Sequence, residues 1–597
     1  MSPSYALIIG QGPSRAALAE RLACRNGLGI GYSNARLAAL VSRDCGCVPL
    51  DDAGCVLGTL FRRHGPAKAI TSLAPADAAR IAGTGGLTLI DAFWGGYIAA
   101  IADADCVRVL RDPSAALPCY HAGRERFTIF ASDAEILASA DLELEIDFAE
   151  IGRQLYRAFV PQPSTAIRGI RELLAGFSVR VGEHVSEPDQ CWSPWRHVTA
   201  RDEPRKMTAE RLARVVQHCV HAWGSTQRRL LLSVSGGLDS SIVAACLASA
   251  GIDTVCLTMF TDDPSGDERP FARALCERLA LPLVERPYFL EDIDIREPLG
   301  ANFPRPRDRT QANAHERVHE AVALEVGTES FMTGNGGDHV FNHSQSAAAI
   351  ADRYLSEGLR GAFATLLDVC RQTGSSLAEA TRHALHLANS PAPCRVRANA
   401  LFLDPSFVAG IGPSELHHPW LDAPSDALPG KAAHVATILR VQPTLEPSGG
   451  PRFSLLNPLV SQPIVETCLG VPTWRWREGG RDRSLAREAF AEHLPSLVLN
   501  RRVKGTPGRF AAKLLDHFRR PVRDRLINGW LAKHGIVDVA ALDGVLKGER
   551  PVPDLQRVRI LELVNAEAWL DHWMARLRES KPVDADVRWA GRGPNPS

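Results

Sequence analysis

Over the first 140 residues the apolar positions come in short runs broken by Gly, Pro or Asp. Tyr5–Gly10, Gly54–Phe61, Leu87–Ala92, Tyr97–Ala102, Cys106–Leu110 and Phe127–Ala131 are rich in apolar or β-branched residues and predict strands. The acidic stretch Asp141-Leu-Glu-Leu-Glu-Ile-Asp147 then reads as a solvated face or linker. From about residue 205 the pattern changes. Leu230–Val234 predicts a buried strand, Leu238–Ala250 an apolar helix, Thr254–Phe260 a second buried strand and Asp267–Ala280 an amphipathic helix. Strand and helix alternating at this spacing argue a parallel α/β sheet. After Asp338 the pattern is mostly helical, with Pro- and Gly-rich loops near 387–395, 403–430 and 442–458. The tail Arg588–Ser597, rich in Gly and Pro, predicts a mobile end. No internal repeat interrupts this order.

Composition narrows the class. With 597 residues there is room for two large domains or three to five ordinary ones. Hydrophobic residues at 45% and charged residues at 23% suit a folded globular chain. Lys+Arg and Asp+Glu both number 68, so the basic excess of a general nucleic-acid binder is missing. The cysteines are scattered, and Cys45-Gly-Cys47 has no matching second pair, which argues against structural zinc. Met1-Ser-Pro-Ser-Tyr lacks the features of a signal peptide, and no run reaches the roughly 18 apolar residues of a membrane span. Free thiols in a reducing cytoplasm are the expectation, with neither nucleic acid nor membrane as partner.

The most informative segment is Leu231-Leu-Ser-Val-Ser-Gly-Gly-Leu-Asp-Ser-Ser241. A buried strand runs into Ser235-Gly236-Gly237 and a helix starts at once. Two glycines let backbone N–H groups turn toward an anion, and the helix N-terminus adds partial positive charge. Ser235 and Ser240 offer hydroxyls to the same anion. Asp239 would be repelled by phosphate unless a cation lay between them, which predicts Mg²⁺. No Gly-Lys-Ser/Thr follows, so the segment is not the other common phosphate loop. It resembles the pyrophosphate loop of the ATP pyrophosphatases, which cleave ATP between the α and β phosphates. A second segment, Phe331-Met-Thr-Gly-Asn-Gly-Gly-Asp-His-Val-Phe341, places Asp338 after another glycine cluster, so that Asp239 and Asp338 could share the metal.

Both segments resemble those of the asparagine synthetase superfamily, and the likeness runs through most of the chain. Gly54–Phe61, Asp91-Ala-Phe-Trp-Gly-Gly96 with Asp103, Arg111-Asp-Pro113 with Tyr120, and Phe130-Ala-Ser-Asp133 resemble its N-terminal glutaminase domain. Asp267-Glu268, Asn457-Pro-Leu459, Arg483-Ser-Leu-Ala-Arg-Glu-Ala-Phe490 and Arg501-Arg-Val-Lys-Gly505 resemble its synthetase elements. Ser2 stands where a glutaminase needs a cysteine nucleophile, and a serine without an adjacent base is a poor substitute. Asn335 and His339 both stand where asparagine synthetases carry Glu. Gly337-Asp-His-Val-Phe-Asn342, Gln345-Ser-Ala-Ala348, Ala351-Asp-Arg353, His418-Pro-Trp420, Pro429-Gly-Lys431, Ser461-Gln-Pro463 and Pro472-Thr-Trp474 through Gly479-Gly-Arg-Asp-Arg483 resemble the lasso peptide cyclases.

The resemblance implies an α+β glutaminase-like αββα sandwich over residues 1–200 that has lost its activity. An α/β ATP-pyrophosphatase (adenine nucleotide α-hydrolase-like) synthetase domain with added helices would follow over 201–597. It implies ATP bound by Ser233, Ser235, Gly236, Gly237, Asp239, Ser240, Met259 and Gly334, Mg²⁺ held by Asp239 and Asp338, and Lys504 and His339 as catalytic residues. The implied reaction adenylates an Asp or Glu side chain of a precursor peptide and forms an isopeptide macrolactam with its N-terminal amine, releasing AMP and pyrophosphate. A leader-recognition protein and a leader peptidase would be partners. The alternatives are a β-lactam synthetase-type amidation of a small molecule, a glutamine-independent asparagine synthetase-like enzyme, or a non-catalytic scaffold. Asn335 does not titrate and cannot be the base; Asp368 stands at roughly the spacing of the β-lactam synthetases' dyad carboxylate.

Two further signals carry blander readings. His315-Glu-Arg-Val-His319 fits the zinc-protease pattern, but it lies inside an otherwise continuous synthetase sequence. Its histidines are expected to line the substrate side of the cleft or to be solvated. Trp192-Ser-Pro-Trp195 and Trp474-Arg-Trp476 read as packing residues rather than a peptide surface.

Overall fold

The computed structural model describes residues 3–124, 126–199, 203–307, 310, 312–390, 396–446, 453–501, 508–548 and 550–579. Ser2, Lys504 and the tail Arg588–Ser597 lie outside these residues.

Two six-stranded antiparallel sheets face one another in the N-terminal part. One runs in the order Arg171–Glu172, Tyr120–Arg124, Phe127–Ala131, Tyr5–Ile9, Leu37–Val41, Gly29–Ser33. The other runs Asp189–Gln190, Phe177–Val181, Val107–Arg111, Phe93–Ala102, Gly54–Arg62, Cys47–Pro49. Side-chain alternation explains why these strands read as continuous apolar runs. Tyr5, Leu7 and Ile9 meet Cys55, Leu57, Ile98 and Ala100 between the sheets. Ala6 and Ile8 point the other way, against Leu18, Ala19 and Leu22 of the helix Pro13–Asn26. Val56 and Leu60 likewise meet Ile81, Leu89 and Val216 outside the second sheet. The layers are therefore helix, sheet, sheet, helix.

One predicted strand is a helix. Leu87–Ala92 coils because Gly85 and Gly86, both at positive φ, turn the chain and let Leu89 and Ile90 drop into the core beside the helix Pro75–Gly83. A six-residue apolar run fits either element, and burial on one side decided it.

The C-terminal part is built on a five-stranded parallel sheet, ordered Leu283–Pro287, Thr254–Phe260, Leu230–Ser233, Ser330–Met332, Ser454–Leu456. The last strand falls in a stretch read from sequence as loop. Three residues show no period of their own, and pairing with Ser330–Met332 makes them a strand. Leu230 and Leu232 pack under the helix Leu238–Ser249, whereas Leu231 packs against Val322 and Ala323 of the helix Ala312–Val326 on the opposite face. The region 403–430 also holds short helical turns, Pro405–Ala409, Pro413–Leu416 and Pro419–Leu421. No helix among the described residues is long and apolar enough to cross a membrane. Trp192 and Trp476 are buried packing residues.

A buried ionic chain ties the two parts together. Arg111 donates to Glu172 at 2.8 Å, Glu172 pairs with Arg305, and Arg305 donates to Glu446 at 2.8 Å. Arg111 also donates to the carbonyls of Leu117 and Leu173, so its charge is paired and its donors are used. Gln442 Nε2 donates to the Pro113 carbonyl at 3.0 Å. The segment from Gln442 to Glu446 is thus anchored on the sandwich at both ends, while Thr444 and Leu445 between them line the cleft described next.

Candidate active site

The strand Leu230–Ser233 ends at the centre of the parallel sheet, and the helix Leu238–Ser249 begins four residues after Val234. Gly236 makes the turn at φ 59°, where a Cβ would also lie 2.1 Å from that of Phe271. Ser241 Oγ donates to the Gly237 carbonyl at 2.7 Å and secures the first helical turn. The second glycine loop follows the neighbouring strand Ser330–Met332 and presses directly onto this turn. A methyl at Gly334 would come within 2.4 Å of the Ser240 amide nitrogen, and one at Gly337 within 2.7 Å of Asp239 Cβ. The glycines of both loops are therefore needed for close approach, and that approach brings Asp239 and Asp338 together.

Both aspartates bond to one nitrogen. Arg483 Nη1 donates to Asp239 Oδ2 at 2.6 Å and to Asp338 Oδ1, while its Nε donates to Asp482 Oδ2 at 2.9 Å. Burial works against the charge of Arg483, but Asp239, Asp338 and Asp482 outweigh it and raise its pKa. Burial also pushes the Asp482 carboxyl upward, yet His343, Arg483 and Arg487 hold it well below the usual carboxylate range. Two carboxylates from separate loops that converge on one positively charged atom form a hard-oxygen donor set, which suits Mg²⁺. Arg501 braces the phosphate loop from behind. It donates to the Ser235 carbonyl at 2.8 Å and to Glu268 at 2.6 Å, with its guanidinium 4.1 Å from the Phe271 ring centre.

These groups open onto a cleft of about 890 Å³. Ser233, Ser235, Gly237, Asp239, Ser240, Met259, Gly334, Asp338 and His339 all line it; Gly236 shapes the loop without facing the cleft. Lys504 falls outside the described residues. Burial lowers the pKa of His339 and Asp338 only partly opposes this, so the imidazole is neutral near pH 7. His339 Nδ1 is buried and has no hydrogen-bond partner among the described residues. Asn335 lines the cleft, whereas Asp368 lies 3.6 Å from Arg371 and only the arginine reaches the lining. His315 and His319 line the cleft as well and are partly buried. Among the described residues no group of three or more His, Cys, Asp or Glu side chains could hold a metal ion, so no third zinc ligand joins this pair.

Arg483, Arg487 and Arg501 are the site residues to which the sequence assigned no role. Arg483 ends the segment Gly479-Gly-Arg-Asp-Arg483, a charged triplet behind two glycines at positive φ.

An asparagine synthase family model matches residues 211–417 and 456–571. Among curated proteins, the microcin J25-processing protein McjC of Escherichia coli is 26% identical over 135 residues, a match covering 22% of this chain. The chain spans about a quarter of that relative's length, 26%. Among solved structures, a glutamine phosphoribosylpyrophosphate amidotransferase from B. subtilis, complexed with ADP and GMP, is similar over 55% of this chain and 90% of its own. It is 9% identical, with a TM-score of 0.21. An allosteric regulatory enzyme of purine biosynthesis is similar over 56% of this chain and 83% of its own, at 8% identity and a TM-score of 0.19. Scores this low bear no weight on the fold.

Proposed function

As the chain belongs to the asparagine synthase family, we propose that it is an ATP-dependent lasso peptide cyclase. The observation that carries the adenylation half is the convergence of Asp239 and Asp338, from two glycine loops, beside the phosphate loop in one cleft. The likeness to the microcin J25-processing protein supports a peptide as the substrate. The division of the chain falls near residue 200, with a sandwich that serves as scaffold and a synthetase domain beyond it. A leader-recognition protein and a leader peptidase supply the cytoplasmic enzyme with a core peptide whose N-terminus is free.

The backbone N–H group of Gly237 and the hydroxyls of Ser235 and Ser240 hold the phosphates, on a turn that Gly236 makes possible. Asp239 and Asp338 would hold Mg²⁺, which when bound neutralises phosphate charge and eases departure of pyrophosphate. A carboxylate oxygen of the peptide's Asp or Glu attacks the α-phosphorus, and the bond to the bridging oxygen breaks with release of pyrophosphate. The N-terminal amine then attacks the acyl carbon, AMP leaves, and the amine gives up a proton. His339, neutral and lining the cleft, takes that proton. Holding both ends of a prefolded peptide in one cleft makes the amine attack effectively unimolecular.

The test is direct. The full chain is incubated with ATP, Mg²⁺ and core peptides bearing a free N-terminus and an internal Asp or Glu. Loss of one water from the peptide, matched by equal AMP and pyrophosphate, is the expected result. Nucleotide turnover that leaves every peptide mass unchanged would reject the cyclase and favour amidation of a small molecule.

A second expectation concerns glutamine. Because Ser2 replaces the cysteine nucleophile, the chain should form no glutamate from glutamine above background, with or without ATP. Stoichiometric glutamate would show that the sandwich is a working amide-transfer domain.

A further inference from the structure

The helix Ala312–Val326 carries the His-Glu-x-x-His pattern that neither metal binding nor the chemistry above uses. Its spacing puts His315 and His319 one turn apart on the same face, and both line the cleft. His319 Nδ1 lies 2.7 Å from the His315 carbonyl oxygen. A carbonyl can only accept, so Nδ1 carries the hydrogen. Burial keeps the ring neutral, which leaves Nε2 a bare acceptor. Nε2 has no partner among the described residues, and it is not among the side-chain atoms sealed from solvent. It therefore opens into the cleft.

Position narrows what it meets. The phosphate loop feeds a helix on one face of the parallel sheet, and the helix bearing His319 covers the other face. Ser233 and Met259, at the carboxyl ends of two adjacent strands, lie between them and line the same cleft. A nucleotide whose phosphates sit on the loop must lay its base back across these strand ends, where ligands of open parallel sheets bind. Phe331, its ring centre 5.3 Å from that of His319, packs beside the imidazole on the side away from the cleft lining.

Resting on the reading of this cleft as an ATP site, we propose that His319 Nε2 accepts a hydrogen bond from the 6-amino group of adenine and selects adenine over 6-oxopurines. A guanine or hypoxanthine base would set its O6 acceptor against the Nε2 lone pair. Glutamine could replace this acceptor in part; leucine could not.

The experiment measures equilibrium binding of ATP, GTP and purine riboside 5′-triphosphate, which lacks the amine, to the full chain with Mg²⁺. The expected result is that ATP binds roughly 10- to 100-fold more tightly than the other two. His319→Leu should weaken ATP by that factor while leaving purine riboside triphosphate within about twofold, and His319→Gln should recover part of the loss. ATP and purine riboside triphosphate binding equally to the unaltered chain would overturn the role of His319 and leave the ATP site standing. That comparison needs no variant, so a misfolded His319→Leu does not shelter the idea. A preference for ATP that survives in a folded His319→Leu chain would also overturn it. A chain that binds none of the three would overturn the ATP reading, and this proposal with it.

Discussion

Asp239→Asn is expected to abolish pyrophosphate release, and Asp338→Asn to do the same, with both variants still folded. Each substitution keeps the size and shape of the side chain, so the close approach of Asp239 to Gly337 survives. What disappears is one of the two negative charges that converge on Arg483 Nη1. In the proposed reaction those charges hold the metal against phosphates that would otherwise repel them. Metal stabilisation of a transferring phosphoryl group is worth several kcal/mol, and each 1.36 kcal/mol is tenfold in rate, so the loss should reach at least about 10³-fold. Raising Mg²⁺ should not restore the rate, because the surviving carboxylate is left beside a guanidinium that competes with the metal. Pyrophosphate release measured across a Mg²⁺ series, beside thermal unfolding of each variant, checks this. A variant with near-normal release at ordinary Mg²⁺ would remove that aspartate from the metal site.

The same pair shows why the site was legible in part. Ser235 to Ser240 are contiguous, and their chemistry is local: glycines for a turn, hydroxyls for an anion, a carboxylate that demands a cation. Asp338 was recognisable because it follows a glycine cluster of its own. Arg483 was not, since a residue 145 positions further on joins those carboxylates only when the Gly479–Arg483 segment folds over both loops. The tautomer of His319 was equally out of reach, because it is set by one backbone carbonyl and by burial. For the fold, strands with apolar residues on both faces announced themselves as continuous runs. Ser454–Leu456 did not, because an edge strand of three residues exists only through its partner. Leu87–Ala92 was misread for the complementary reason: its composition suits a strand, and two preceding glycines with a core on one side made it a helix.

Lys504→Ala is expected to lower turnover by roughly 10²–10³-fold with little change in ATP affinity. The Arg501-Arg-Val-Lys-Gly505 segment resembles a synthetase element of the family, and that resemblance implies a role for Lys504 at the phosphates and the developing oxyanion. Adenylation builds negative charge on the α-phosphate as pyrophosphate leaves, and amide formation builds it on the acyl oxygen. A donor that meets both charges stabilises two transition states more than the bound substrate, which is the condition for faster chemistry. Arg501, three residues earlier, cannot stand in for it. Its Nη1 donates to the Ser235 carbonyl and its Nη2 to Glu268, and its guanidinium lies over Phe271. Arginine at 504 should rescue only in part, because a planar fork does not occupy an ammonium's point position. Single-turnover AMP formation, measured beside equilibrium ATP binding, separates the two possible losses. If alanine leaves the rate intact, or if the whole loss lies in ATP binding, Lys504 is a ground-state contact and the charge on the two transition states must be met elsewhere. Arg483 would then be the first group to test, since it already lies beside Asp239 and Asp338 in the cleft.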